Sequence, residues 1–407
     1  MFFNRRDDRL ENYRQVIRAI LSLRMIKHLI TEKIKEEALR IGFDAVGVSP
    51  VHKITEDRLR DWLDRNYQGK MTYMEKHVEK RLDLGQVLDG ARSLVSVALN
   101  YFHDEQLPYG DETKGVISRY AFGDDYHKVM LPKLRSLQRR IVSLIPEACA
   151  RYYVDTGPIM DKYWAARGGI GWLGKNGNLI ANKKLGSWFF IAEILLDVDL
   201  EYDSPTKDHC GTCTRCIDLC PTEAIVEPYV VDSRKCISYL TIELKEDIPM
   251  DLRSSMGNLI FGCDICQDVC PWNRKVRTSN EQAFQSRPQS RSPSLLQLAS
   301  MDEKDFEVFS RKSALKRTKW RGLMRNVCVA MGNAALKEMV PHLKILLSVK
   351  EPMIRRHAAW ALKQIGGEVS MKALVSRLRV ERDQSTRITL TRLIESSAAP
   401  EDENPVS

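Results

Sequence analysis

Two rhythms of apolar and polar positions divide this chain. Thr31 to Leu39 (TEKIKEEAL) places Ile34, Ala38 and Leu39 at helical spacing and predicts a helix, and Gly42 to Val48 reads as a short strand. Ala91 to Leu99 is a nearly unbroken apolar run, which suits a strand buried on both faces. Residues 125–147 carry a long helical pattern. Arg151 to Asp155 reads as a strand ending at Thr156-Gly157-Pro158, and Ser187 to Val198 as a further apolar strand. Helices and strands mix without a strict βαβ order, so residues 31–204 are expected to form an α+β domain.

Beyond residue 277 the pattern changes. Residues 277–293 are a polar Ser/Arg-rich linker, and the chain is then helical almost to its end. Arg325, Arg356 and Arg387 open apolar helical segments at intervals of 31 residues. Gly332-Asn333 and Gly366-Gly367 read as the closes of two of them. Such a period predicts stacked, HEAT-like helical pairs over 277–397. Residues 398–407 read as an acidic, Pro-containing disordered tail. Residues 1–30 read as an N-terminal extension or basic amphipathic helix, with Met25 as a second possible start. Arg5-Arg6 hints at a twin-arginine leader, but Arg18, Arg24, Lys27 and His28 interrupt any apolar region, and no run is long enough to span a bilayer. A cytoplasmic protein is expected.

Eight of the ten cysteines cluster in residues 210–270. Cys210, Cys213, Cys216 and Cys220-Pro221 follow C-x₂-C-x₂-C-x₃-C-P, the iron–sulfur run of bacterial ferredoxins, in which the fourth cysteine serves the other cluster. Cys263, Cys266 and Cys270-Pro271 repeat that run with Ile260 in place of its first cysteine. Cys236 lies between the runs and can fill the vacancy. The expected partition is Cys210, Cys213, Cys216 and Cys270 on one 4Fe-4S cluster, and Cys220, Cys236, Cys263 and Cys266 on the other. This defines a ferredoxin-type domain over 205–276. A disulfide framework suits short secreted chains rather than 407 residues, and zinc ribbons give no reason for the doubled spacing. Cys149 and Cys328 stand alone in apolar-rich helical contexts and read as buried packing residues.

A formal net charge of +9 points to a polyanionic partner. Arg311, Lys312, Lys316, Arg317, Lys319, Arg321 and Arg325 form a basic run without an acid, with Trp320 inside it. Lys319, Arg321 and Arg325 are the residues singled out for phosphate contact. Gly168 to Asn178 is Gly-rich, yet it matches neither the P-loop nor the Rossmann order, because Asn176 follows Lys175 and no strand–turn–helix frames it. Close approach of this loop to a large ligand is expected.

Taken together, these motifs resemble the epoxyqueuosine reductases, cobalamin-dependent enzymes of tRNA queuosine synthesis. The resemblance runs from about Thr31 to about Ile394. It rests on Glu79-Lys80-Arg81, Ser118-Arg119-Tyr120, Gly123-Asp124-Asp125-Tyr126-His127, Val154 to Pro158, Ala166 to Trp172, Gly174-Lys175-Asn176, Asp232 to Thr241, both cysteine runs and the helical repeat. It implies reduction of epoxyqueuosine to queuosine at the tRNA wobble position by cobalamin, fed by two 4Fe-4S clusters and an external low-potential electron donor. It implies a monomer, with Asp155 as the general acid for the departing oxygen. It also implies a corrin site near Arg81, Ser118, Asp155, Lys175, Asn176 and Ser238. No D-x-H-x-x-G run is present, so the corrinoid comes from the resemblance alone. Two other readings share some of these parts: a corrinoid reductive dehalogenase, and a ferredoxin-type carrier fused to a binding module.

Overall fold

The computed structural model describes residues 24–56 and 58–396. The expected tail and most of the 1–30 extension therefore lie outside the described residues. Residues 24–41 form one helix, so the segment 24–30 continues into the helix expected from Thr31. Ile34 and Ala38 bury its inner face, and the Thr31 hydroxyl accepts a hydrogen bond from the Glu201 amide at 2.9 Å.

Four antiparallel strands make the main sheet in the order Ala45–Pro50, Ser93–Asn100, Phe189–Leu196, Ala150–Tyr153. The two central strands are the expected apolar runs, and their partners lie far away in sequence. Helix Tyr126–Leu144 covers one face through Met130, Leu134, Leu137 and Ile141, spaced as one helical stripe. Each such side chain contributes about 1.5–3 kcal/mol by leaving water. Asp125 starts this helix by accepting from the His127 amide. The short helix Asp161–Arg167 crosses the opposite face and buries Trp164 and Ala165. The mixed α+β architecture is as expected.

In the C-terminal part, helices Lys319–Ala334, Pro352–Ile365 and Gln384–Glu395 stack in sequence, with Val340–Leu346 and Gly367–Val380 as their partners. Their core is continuous with that of the cysteine region, running from Ile237, Leu240 and Phe261 through Val327 and Ala358 to Leu393. The polar linker is pinned rather than free. The Ser279 hydroxyl donates to Asn100 O at 2.6 Å, the Asp124 amide donates to Ala283 O at 2.7 Å, and Phe284 is buried.

The structure corrects several expectations. Arg325 is wholly buried, so it is not a phosphate contact. Its guanidinium donates to the carbonyl of Leu240, in the helix following Cys236, and to those of Leu244 and Glu246 just beyond its end. Asn326 beside it donates to Thr241 O and Ile260 O, both at 2.8 Å. The other repeated arginines are internal ties as well: Arg356 pairs with Asp247 and Asp383, and Arg387 donates to Leu378 O and Glu381 O. Gly332 does not close its helix. A Cβ there would lie 2.5 Å from the Trp360 ring, so glycine permits the helix crossing, and Ala335 at φ +54° ends the helix instead. Cys149 is exposed rather than buried, whereas Cys328 is buried as expected. Among the described residues, no helix is long and apolar enough to cross a membrane.

Candidate active site and cluster cradle

The two cysteine runs fold alike. Each carries a single helical turn, Arg215–Asp218 and Ile265–Asp268, and each brings its last cysteine back by a backbone hydrogen bond, Cys220 N donating to Ile217 O and Cys270 N to Gln267 O. Cys236 stands at the N-cap of helix Ile237–Ile242. Ile260, where the second run lacks a cysteine, is buried in strand Leu259–Phe261, paired with Val116–Ile117.

The thiols gather in two groups. Burial pushes the Cys216 thiol up to about 11, and the next influences on it are Cys210, Cys270 and Cys213. Burial likewise raises Cys263, with Cys236 and Cys220 among its neighbours, and raises Cys266 well above the usual range, with Cys263 and Cys236 beside it. Cys220 Sγ also accepts from the Ala224 amide at 3.3 Å. Half-buried thiols with backbone N–H groups nearby suit thiolates whose charge a cluster would hold. No group of three or more His, Cys, Asp or Glu side chains converges on a single-ion site among the described residues. A cubane spreads its thiolates over four irons, so single-ion chelation is a different geometry.

The Gly-rich stretch packs against the chain itself. A Cβ on Gly171 would stand 2.0 Å from Ile180 O, one on Gly47 2.0 Å from Gly168 O, and one on Gly169, at φ +77°, 2.7 Å from Ser204 O. The close approach expected there is therefore backbone to backbone. The next residues reach the cysteine loops: Lys175 Nζ donates to Gly211 O at 2.7 Å and Cys213 O at 3.1 Å, and Asn176 Nδ2 to Cys266 O at 3.2 Å. Ser118 is buried and donates to Asp264, between Cys263 and Cys266. Ser118, Lys175 and Asn176 thus serve the cysteine loops directly. Ser238 is half-buried in the turn after Cys236.

Asp155 sits at φ +57°, the left-handed region that Asp tolerates better than most residues, and its carboxylate is exposed. The Tyr126 hydroxyl donates to it at 2.7 Å, and His127 Nε2 stands 3.9 Å away. Burial, then the Asp155 charge, holds the Tyr126 phenol well above its ordinary range. Several groups share this recess. Asp161 is pushed up to about 7 by burial first and Asp155 second, with Lys162 and Arg81 opposing. Lys162 is exposed, yet desolvation by the protein around it lowers its ammonium; Asp161, Cys266, Asp155 and Cys236 are its charged neighbours. Its Nζ donates to Gly177 O at 2.8 Å. Tyr73, raised to about 12 by burial and then Glu243, also senses Arg317, Asp155 and Arg81. Arg317 pairs with Glu243 and lies 5.9 Å from the Tyr73 ring centroid. Arg81 Nε is buried without a partner. The recess thus joins Asp155, Arg81, the thiols of Cys236 and Cys266, and one cation of the basic run.

Sequence reading missed Tyr126 and His127 as partners of Asp155, although both lie in a motif it quoted. It also missed Asp161, Lys162 and Glu193. Glu193 had a signal: a charged residue in an apolar strand. It is fully buried, both carboxyl oxygens lack partners, and it faces Ser96 and Tyr153 across the sheet. Burial, then Asp161 and Asp155, raises its carboxyl well above the usual range. The native state then binds this proton more tightly than the unfolded chain does. Stability from this group is therefore full at acid pH and is lost as pH rises from the unfolded toward the folded pKa, by about 1.4 kcal/mol per pH unit. Glu193→Gln cannot ionise. Its melting temperature is expected to gain on the parent's over the pH range above the usual glutamate pKa. A constant difference across that range would rule out titration of Glu193 on unfolding.

Comparison with known proteins identifies the parts of the chain. A 4Fe-4S double cluster binding domain matches residues 209–273, HEAT repeats match 314–395, and the domain described as epoxyqueuosine reductase QueG, DUF1730 matches 81–156. The epoxyqueuosine reductase of Leadbetterella byssophila is 50% identical over 302 residues, covering 73% of this chain and 97% of the relative. This chain belongs to the epoxyqueuosine reductase family. The Escherichia coli K12 epoxyqueuosine reductase is 40% identical over 342 residues, covering 82% of this chain and 89% of its own length. An epoxyqueuosine reductase crystallised with a tRNA-Tyr epoxyqueuosine-modified stem loop superposes with a TM-score of 0.84 at 30% identity, over 90% of this chain and 98% of that one. The Bacillus subtilis epoxyqueuosine reductase, solved with its catalytic aspartate loop swung out of the active site, gives 0.83 at 29% identity, over 89% and 98%. Reductive dehalogenases align at 16% identity with a TM-score of 0.34, which carries no argument for the dehalogenase reading.

Proposed function

We propose that this oxidoreductase reduces epoxyqueuosine to queuosine in tRNA, the last step of queuosine synthesis. The observation that carries the reading is the recess itself: an exposed carboxylate, held by a tyrosine, shares one recess with half-buried cysteine thiols in a member of this family. The two thiol groups support a partition of Cys210, Cys213, Cys216 and Cys270 on one 4Fe-4S cluster, and of Cys220, Cys236, Cys263 and Cys266 on the other. A corrinoid suits the same cleft, because the unpartnered Arg81 Nε and the half-buried Ser238 remain free to meet a polar ligand. When bound, cobalamin supplies a strong nucleophile or reductant that no side chain can provide.

The chain's own residues do the rest. Removing the epoxide oxygen to leave an alkene takes two electrons and protons, and the departing alkoxide is a poor leaving group. Asp155 donates a proton to that oxygen. Tyr126 and His127 orient its carboxyl, and Lys162 and Arg81 bring positive charge to the cleft. Arg317 at the rim, with the exposed Lys319 and Arg321, contacts tRNA phosphates and sets affinity, while the cleft reads the modified base. The electron donor is a separate molecule.

Nucleoside analysis of tRNA from a strain lacking this gene tests the proposal. Epoxyqueuosine is expected to accumulate, with queuosine restored by the intact gene. Undiminished queuosine in the deletion strain would overturn it.

A further inference from the structure

Electrons must enter at one cluster and leave from the other, and the charged neighbourhoods distinguish the two. Lys162 Nζ, beside Asp161, donates to Asn178 Oδ1 at 3.4 Å, and Asn178 Nδ2 in turn stands 3.9 Å from Cys266 Sγ, which ties the Asp155 recess to the Cys236 group. The helical turns Arg215–Asp218 and Ile265–Asp268 pack against each other, so the two thiol groups adjoin. The Cys236 group therefore stands at the recess, and the Cys210 group is the place of entry.

The surface over that entry group is distinctive. Trp272 follows Cys270 by two residues, and His209 directly precedes Cys210. Trp172, His209 and Trp272 form a ring cluster with centroids 4.7–5.6 Å apart. Trp172 is buried, and its side chain adjoins the Cys210 thiol. Lys183 Nζ lies 5.8 Å from the Trp272 centroid. Lys183, Lys184, Arg274 and Lys275 are all exposed, and none forms an ion pair among the described residues. Of the acids nearby, Asp268 is taken by Arg119 and Tyr109, Asp208 by Tyr229 and the Cys210 amide, and Asp104 shares a cavity of about 210 Å³ with Arg274.

We propose that this basic, aromatic patch is the docking surface of a small acidic one-electron carrier protein. The proposal rests on the cluster reading above. Unpaired surface cations over a redox centre speed the encounter with an acidic partner while leaving it transient. At each docking the carrier loses one electron and the entry cluster gains it, so two dockings supply the two electrons of one turnover. The rings beside Cys210 and Cys270 exclude water from the contact. The cations read as tRNA contacts border the Asp155 recess instead, through Arg317 and Tyr73.

The test uses the full chain with both clusters and an acidic [2Fe-2S] ferredoxin as probe. Oxidised ferredoxin is titrated calorimetrically over a salt series. Cluster bleaching is followed by stopped flow with reduced ferredoxin and, separately, with dithionite. The parent is expected to bind ferredoxin less tightly as salt rises. Lys183→Glu with Lys275→Glu is expected to weaken binding and slow ferredoxin-driven bleaching by about tenfold or more, with iron content, dithionite-driven bleaching and tRNA affinity unchanged. Lys183→Gln with Lys275→Gln is the milder pair if the reversal folds poorly. Unchanged binding and bleaching, or a parent that binds no ferredoxin at low salt, would overturn the proposal alone. Loss of tRNA affinity with ferredoxin binding intact would overturn it in favour of an RNA surface. A parent without four-iron clusters would overturn this proposal together with the cluster reading.

Discussion

Asp155→Asn is expected to leave the fold, the iron content and tRNA affinity intact, while epoxide reduction falls by about 10²–10⁴, the range for a lost acid–base group. The amide keeps the size of the side chain and can still accept from Tyr126, which holds the native carboxylate at 2.7 Å. It cannot donate a carboxylic proton. The carboxylate is exposed and its backbone is left-handed, so little packing depends on it and the loss should be chemical rather than structural. Single-turnover reduction by enzyme reduced in advance is the measurement, because slow electron supply would otherwise hide the effect. A parent-like rate in that assay would return Asp155 to a turn residue at a strand end.

Cys236→Ala carries the second large effect. It removes the one proposed ligand that neither ferredoxin-type run contains. The Cys210, Cys213, Cys216 and Cys270 group stays complete, so protein purified without oxygen is expected to keep about half its iron and to lose turnover. Cys149→Ala is the control: that thiol is exposed and lies outside both groups, so iron and activity should not change. Full iron with a parent-like spectrum in Cys236→Ala would show that another group completes the second cluster.

Local pattern carried much of this protein. Cysteine spacing is a property of a few consecutive residues, and each run folds into its own turn, so the motif was readable without any fold. The long strands were readable too, because burial on both faces makes them continuous apolar runs. The repeat of 31 residues was equally plain. What those repeated arginines do was not. Arg321 and Arg325 look equivalent in a run of cations, yet one is exposed and the other buried. The difference lies in the free carbonyls of Leu240, Leu244 and Glu246, contributed some 80 residues earlier. A buried cation survives only where such acceptors wait for it, and sequence does not say where they are. Glu193 announced an anomaly, but only the antiparallel register sets it beside Ser96 and Tyr153 and leaves it without a partner. Asp155 and Tyr126 are 29 residues apart, and the sheet and its covering helix alone bring them together. Short-range chemistry was written in the order of residues. Charge, protonation and access were decided by which distant backbone and side-chain groups the fold placed within reach.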